Sequence, residues 1–128
     1  MVNFGSILLL QYPQGHWDFP KGHVEESDSD KKMTAARELK EETGISNIEF
    51  VDGFETKSKY NFRHKGKFVE KQVYWFICVT ETMKIKLSHE HREHLWLEWP
   101  AALEQLTHKE SKKVLATAWE YMKSIGKD

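Results

Sequence analysis

The chain has 128 residues, 39% hydrophobic and 12% aromatic, with 19 Lys and Arg against 20 Asp and Glu for a formal net charge of −1. That length supports one domain over residues 1–128 with a proper core, and the near-neutral balance argues against polyanion binding, so no stable nucleic-acid complex is expected. One cysteine rules out an internal disulfide, and the apolar stretch Ile7–Leu10 is too short for a signal peptide or a membrane span, which leaves a cytoplasmic protein as the default.

Taken in chain order, Ser6–Gln11 reads as a strand, followed by a loop through Gly22 and a helix from about Lys31 to Thr43, with Gly44 as its left-handed cap. Ile48–Thr56 reads as a second strand. Val69–Thr80 is the strongest candidate, because Val73–Val79 is apolar on both faces, as in a central strand. Cys78 within it is a small buried hydrophobe. Leu95–Trp99 reads as a further strand ending at Pro100. Thr107-His108-Lys109-Glu110 has the form of a capping box for a last helix, whose Val114, Leu115, Ala118, Trp119 and Met122 recur at helical spacing before Gly126. Strands and helices alternating in this way imply an α/β sandwich with a mixed sheet between helices.

The first helix carries the chemistry. Its segment Arg37-Glu38-Leu39-Lys40-Glu41-Glu42-Thr43-Gly44-Ile45 sets three glutamates within five residues. At ~100° per residue, Glu38, Glu41 and Glu42 share one narrow stripe. Like charges at such spacing cost roughly 0.2–0.5 kcal/mol per pair in an isolated helix. A hard divalent cation such as Mg²⁺ favours that crowding, since it takes oxygen ligands and is neutralised by carboxylates. A solvated acidic surface is the competing explanation.

Gly22 to Ile45, preceded by Trp17-Asp18-Phe19-Pro20-Lys21, resembles the signature of the Nudix hydrolases, G-x5-E-x7-R-E-U-x-E-E-x-G-U with U aliphatic. The resemblance implies the Nudix fold, an α/β/α sandwich around a central mixed β-sheet. One departure is a loop longer by a residue: Gly22 and Arg37 are fifteen positions apart, against fourteen in the signature. The first acidic position falls on Asp28 or Ser29 according to the anchor, and Asp28 or Asp30 is expected to serve Arg37 instead. A second departure is at the amino end, where only seven residues precede Leu8-Leu9-Leu10 and the usual strand has no room. Either that strand is absent or the start lies downstream of the true beginning. Its absence would expose a sheet edge through which an oligomer can form.

Beyond the signature, His16-Trp17, Pro20-Lys21-Gly22-His23-Val24-Glu25, Tyr74-Trp75, Leu87-Ser88-His89-Glu90-His91 and Lys109-Glu110 are similar to segments of asymmetric diadenosine tetraphosphate hydrolases. This resemblance implies water attack on a bridge phosphorus of a dinucleoside polyphosphate, giving ATP and AMP, with Mg²⁺, or Mn²⁺ as a substitute. It implies Glu38, Glu41 and Glu42 as metal ligands, joined by the Lys21 backbone carbonyl, with Arg37 orienting the carboxylates. The general base is either a helix glutamate or Glu90, which is also a possible metal ligand. His16 and Lys21 are expected on phosphate, and Tyr74 on a base unless it is a core aromatic. Lys109 is expected on phosphate unless it is a solvated first-turn lysine. The basic and aromatic stretch Lys57–Lys71 suits a polyphosphate tail, and equally a lysine-guarded strand edge. No spacing among the histidines marks a zinc site. The competing functions are an RNA 5′-pyrophosphohydrolase, compatible with Trp17-Asp18-Phe19-Pro20, and a non-catalytic nucleotide-binding module.

Overall fold

The computed structural model describes residues 1–3, 5–20, 30–87 and 91–128. Its centre is β2 (Ser6–Gln11), whose Leu8, Leu9 and Leu10 are fully buried. Burying each such side chain contributes roughly 1.5–3 kcal/mol, so this run is the firmest part of the sheet. β2 pairs antiparallel along its full length with β8 (Glu93–Glu98), from Ser6 opposite Glu98 to Gln11 opposite Glu93. On its other edge it meets β1 (Val2–Asn3) and then β3 (Trp17–Asp18). β1 also pairs in parallel with β7 (Cys78–Thr80), and β7 pairs antiparallel with β4 (Ile48–Phe50). The sheet is therefore mixed. A separate long hairpin is formed by β5 (Thr56–His64) and β6 (Lys67–Trp75).

The amino end departs from expectation. A two-residue strand does precede Leu8-Leu9-Leu10: Val2 lies opposite Ile7 and Asn3 opposite Ser6, while the Asn3 amide donates to the Thr80 carbonyl at 2.9 Å. The edge expected to lie bare is covered at these residues, which removes the ground for an oligomer formed through it. Two other strands are shorter than their sequences imply. Ile48–Thr56 is β4 followed by a turn at Asp52-Gly53, and Val69–Thr80 breaks at Phe76-Ile77 into β6 and β7, which belong to different sheets. Uniform apolarity cannot mark where a chain leaves one sheet for another.

Among the described residues three helices complete the fold: α1 (Lys31–Thr43), α2 (Trp99–Gln105) and α3 (Lys109–Ser124). Trp99 and Pro100 open α2 and do not end a strand, since proline is accommodated in a first helical turn. Leu115, Ala118 and Met122 of α3 join Trp99, Ala102 and Leu106 against Ile7 and Leu9 to make the main core. α3 ends as expected at Gly126, at φ +70°, whose N–H donates to Lys123 while the N–H of Lys127 donates to Met122. Its start does not use the expected capping box. His108 is the N-cap without a side-chain bond, because the Thr107 hydroxyl accepts from the Trp17 N–H at 2.9 Å.

Candidate active site

Two caps hold α1. Asp30 is the N-cap and its Oδ1 accepts from the Met33 N–H at 3.0 Å. Gly44, at φ +77°, donates its N–H to Lys40. Asp30 thus caps the helix and does not serve Arg37. The Arg37 guanidinium instead donates to Glu41 Oε1 at 3.0 Å and Glu38 Oε1 at 3.2 Å. It is a cation placed between two of the three stripe carboxylates. Thr43 is buried and its hydroxyl donates to the Leu39 carbonyl.

Glu42 has a different setting. Its side chain is 10% exposed, and Oε2 lies 4.0 Å from Nε2 of His91, whose side chain is 1% exposed. Among the described residues, no three His, Cys, Asp or Glu side chains already converge into a cation cage. The donor chemistry nevertheless fits a hard divalent ion: three carboxylates share one stripe, and two of them are already gathered around a positive charge.

His91 reaches Glu42 through the chain paths on either side of residues 88–90. The Lys86 N–H donates to the Thr43 carbonyl at 2.9 Å, and its Cβ packs 3.3 Å from the space a side chain at Gly44 would fill. The Arg92 N–H donates to the Gln11 carbonyl at 2.8 Å, extending the β2–β8 pairing. Lys21, His23, His89 and Glu90 lie outside the described residues, as do Asp28 and Ser29 and the side chains of Tyr60, Phe62 and Lys71.

His16 is placed by a tight turn. The Tyr12 N–H donates to the His16 carbonyl at 2.9 Å and the Gly15 N–H to the Tyr12 carbonyl at 2.8 Å, with Gly15 at φ +98°, a conformation glycine adopts without strain. The imidazole of His16 stacks on the Tyr12 ring at 4.9 Å and 5°. His91 also meets the Tyr12 ring, edge-on at 4.7 Å. After the turn, buried Asp18 accepts from the Phe19 N–H at 2.8 Å and from the Ser111 hydroxyl at 2.9 Å. This pins the Trp17–Phe19 segment to the first turn of α3 and brings His16 within 5.2 Å of the His108 ring.

The other expected site residues lie on β6 and α3. Tyr74 is buried, and the ammonium groups of Lys31 and Lys57 lie 5.0 and 5.5 Å from its ring centroid. It lines a cleft with Ala35 and Leu39 of α1, Ile48, Phe50 and Cys78. Lys109 is an exposed residue in the first turn of α3. In the hairpin, Lys59 lies 3.9 Å from Glu70 and Arg63 packs 5.1 Å from the Phe68 ring. Cys78 is buried, and desolvation pushes its thiol above the usual range, as for a core residue. Tyr12 escaped the sequence reading. Its signal was the turn sequence Tyr12-Pro13-Gln14-Gly15-His16, which sets two rings on either side of a turn.

Comparison with known proteins bears on the family of the chain. The NUDIX domain matches residues 1–118. The chain is 38% identical over 122 residues to the bis(5′-nucleosyl)-tetraphosphatase [asymmetrical] of Mus musculus, covering 91% of this chain and 80% of that protein. The crystal structure of a C. elegans Ap4A hydrolase binary complex superposes with a TM-score of 0.77 at 29% identity, covering 93% of this chain and 87% of that one. Similarity to an RNA pyrophosphohydrolase of Caulobacter vibrioides is 40% over 94 residues, but spans 66% of this chain and 54% of that protein. Nudix hydrolases generally use divalent metal ions, in keeping with the acidic stripe of α1. With the signature on α1, the mixed sheet around β2 and a domain match across nearly the whole length, the chain belongs to the Nudix hydrolase family.

Proposed function

We propose that this protein hydrolyses diadenosine tetraphosphate asymmetrically, by water attack on a bridge phosphorus, to ATP and AMP. The observation that carries the reading is the stripe on α1, where Arg37 gathers Glu38 and Glu41 while Glu42 turns inward to His91. The substrate follows from the similarity to asymmetrical tetraphosphatases over most of the chain. The match to the RNA pyrophosphohydrolase covers less of both chains.

Glu38, Glu41 and Glu42 would hold the divalent ion, Mg²⁺ with Mn²⁺ as a substitute, with the Lys21 carbonyl as a further oxygen ligand. When bound, such an ion neutralises phosphate oxygens and lowers the pKa of the attacking water. Phosphoryl transfer asks the protein mainly for positioning and charge. Arg37 keeps Glu38 and Glu41 together, and Lys21 and His16 neutralise and orient the polyphosphate. Glu90, or a helix glutamate, takes the proton of the attacking water; Glu90 is a further candidate ligand. The ring of Tyr74 receives a base only if Lys31 and Lys57 withdraw from it, which makes those two lysines natural partners for the adjoining phosphates. Lys109 has the accessibility a phosphate contact needs. No helix of the described residues is long and apolar enough to cross a membrane, and with one cysteine in the chain a reducing, cytoplasmic setting suits it.

Incubation with diadenosine tetraphosphate and Mg²⁺ in ¹⁸O-labelled water tests the reading. ATP plus AMP, with label on one product, is the expected outcome, and the labelled product locates the attacked phosphorus. Turnover of triphosphate-ended RNA in preference to this substrate would replace it with the RNA reading. Nucleotide binding without turnover of either would make the protein a binding module.

A further inference from the structure

Tyr12 touches two parts of the proposed site. Its hydroxyl donates to the Phe19 carbonyl at 2.7 Å, fixing the backbone two residues before Lys21. The edge contact of its ring with His91, at 4.7 Å, supports the imidazole that stands 4.0 Å from Glu42. Stacking of His16 on the same ring, at 4.9 Å and 5°, holds Tyr12 in that orientation. The turn closed by Gly15 and the Arg92 bond to Gln11 make these contacts a product of the backbone.

We infer that Tyr12 is a positioning residue: its ring sets His91, and through it Glu42, for the divalent ion, while its hydroxyl holds the backbone at Phe19, two residues before the expected phosphate contact Lys21. It touches neither metal nor substrate. The inference rests on the proposed metal role of the α1 glutamates. Groups that orient a ligand from behind typically contribute about 10–100-fold to metal affinity or activity. The two halves of the side chain make separable predictions, because phenylalanine keeps the ring and loses only the hydroxyl.

Mn²⁺ affinity, read from the electron paramagnetic resonance signal of the free ion, tests the ring without substrate. Tyr12→Leu should weaken Mn²⁺ binding about tenfold, and Tyr12→Phe should bind within about twofold of wild type. In steady-state hydrolysis of diadenosine tetraphosphate, Tyr12→Phe should raise KM several-fold with kcat little changed, whereas a merely structural tyrosine would leave both untouched in the folded fraction. If Tyr12→Leu does not fold by circular dichroism, Tyr12→Met takes its place in the same titration, since methionine fills the gap flexibly. Wild-type affinity for Mn²⁺ in the folded leucine or methionine variant would overturn the inference. Wild-type protein that binds no Mn²⁺ would overturn the metal reading and this inference with it, whereas absence of turnover with intact Mn²⁺ binding would reject only the substrate.

Discussion

α1 and α3 are both helices ended by a glycine, yet they are built for opposite purposes. α3 places Leu115, Ala118 and Met122 in the main core and leaves most of its charges exposed. α1 buries Leu39, Thr43 and the carboxylate of Glu42, and crowds Glu38 and Glu41 around Arg37. One helix gains its stability from burial. The other depends on its caps, on Arg37 and on a few contacts, and presents charge where burial would have been cheaper. Stability and function are in this sense divided between two helices of one small fold.

Three substitutions sharpen that division. The largest effect on stability is expected from Leu115→Ala, which removes a buried side chain from the core and should destabilise by roughly 2–5 kcal/mol, measured by urea unfolding. Turnover per folded molecule should stay near wild type; a selective loss of kcat would show that α3 does more than support. Asp30→Ala removes the N-cap of α1 and should cost about 1 kcal/mol in the same measurement. Its helix start should fray and divalent affinity should fall modestly. The smallest stability effect belongs to Glu42→Gln, where an amide of the same shape replaces the carboxylate, and there the effect on turnover should be the largest of all.

How much of this was legible in the sequence follows the same line. α1 was readable to its ends, because a local charge pattern and Gly44 define it without reference to the rest of the chain. The core face of α3 was equally plain, since Leu115, Ala118 and Met122 obey the helical period. What escaped was set by tertiary contact. Thr107 has the sequence of a cap, but its hydroxyl accepts from the N–H of Trp17, ninety residues away in the chain. Val73–Val79 is uniformly apolar, and only pairing partners reveal that Trp75 ends a hairpin strand while Cys78 begins a strand of the main sheet. Tyr74 was legible as an aromatic on a strand, but not as a ring beneath two lysines contributed by α1 and β5. Tyr12 became a site candidate, and His91 the neighbour of Glu42, only once the pairing of β2 with β8 had brought residue 92 back to residue 11.

The most direct test is the rate of diadenosine tetraphosphate hydrolysis by Glu42→Gln at saturating Mg²⁺, normalised to folded protein. A fall in the roughly 10²–10⁴-fold range of positioned catalytic groups is predicted, with the fold intact. A rate within about threefold of wild type would mean that the stripe on α1 is solvated surface, and would contradict the account at its centre.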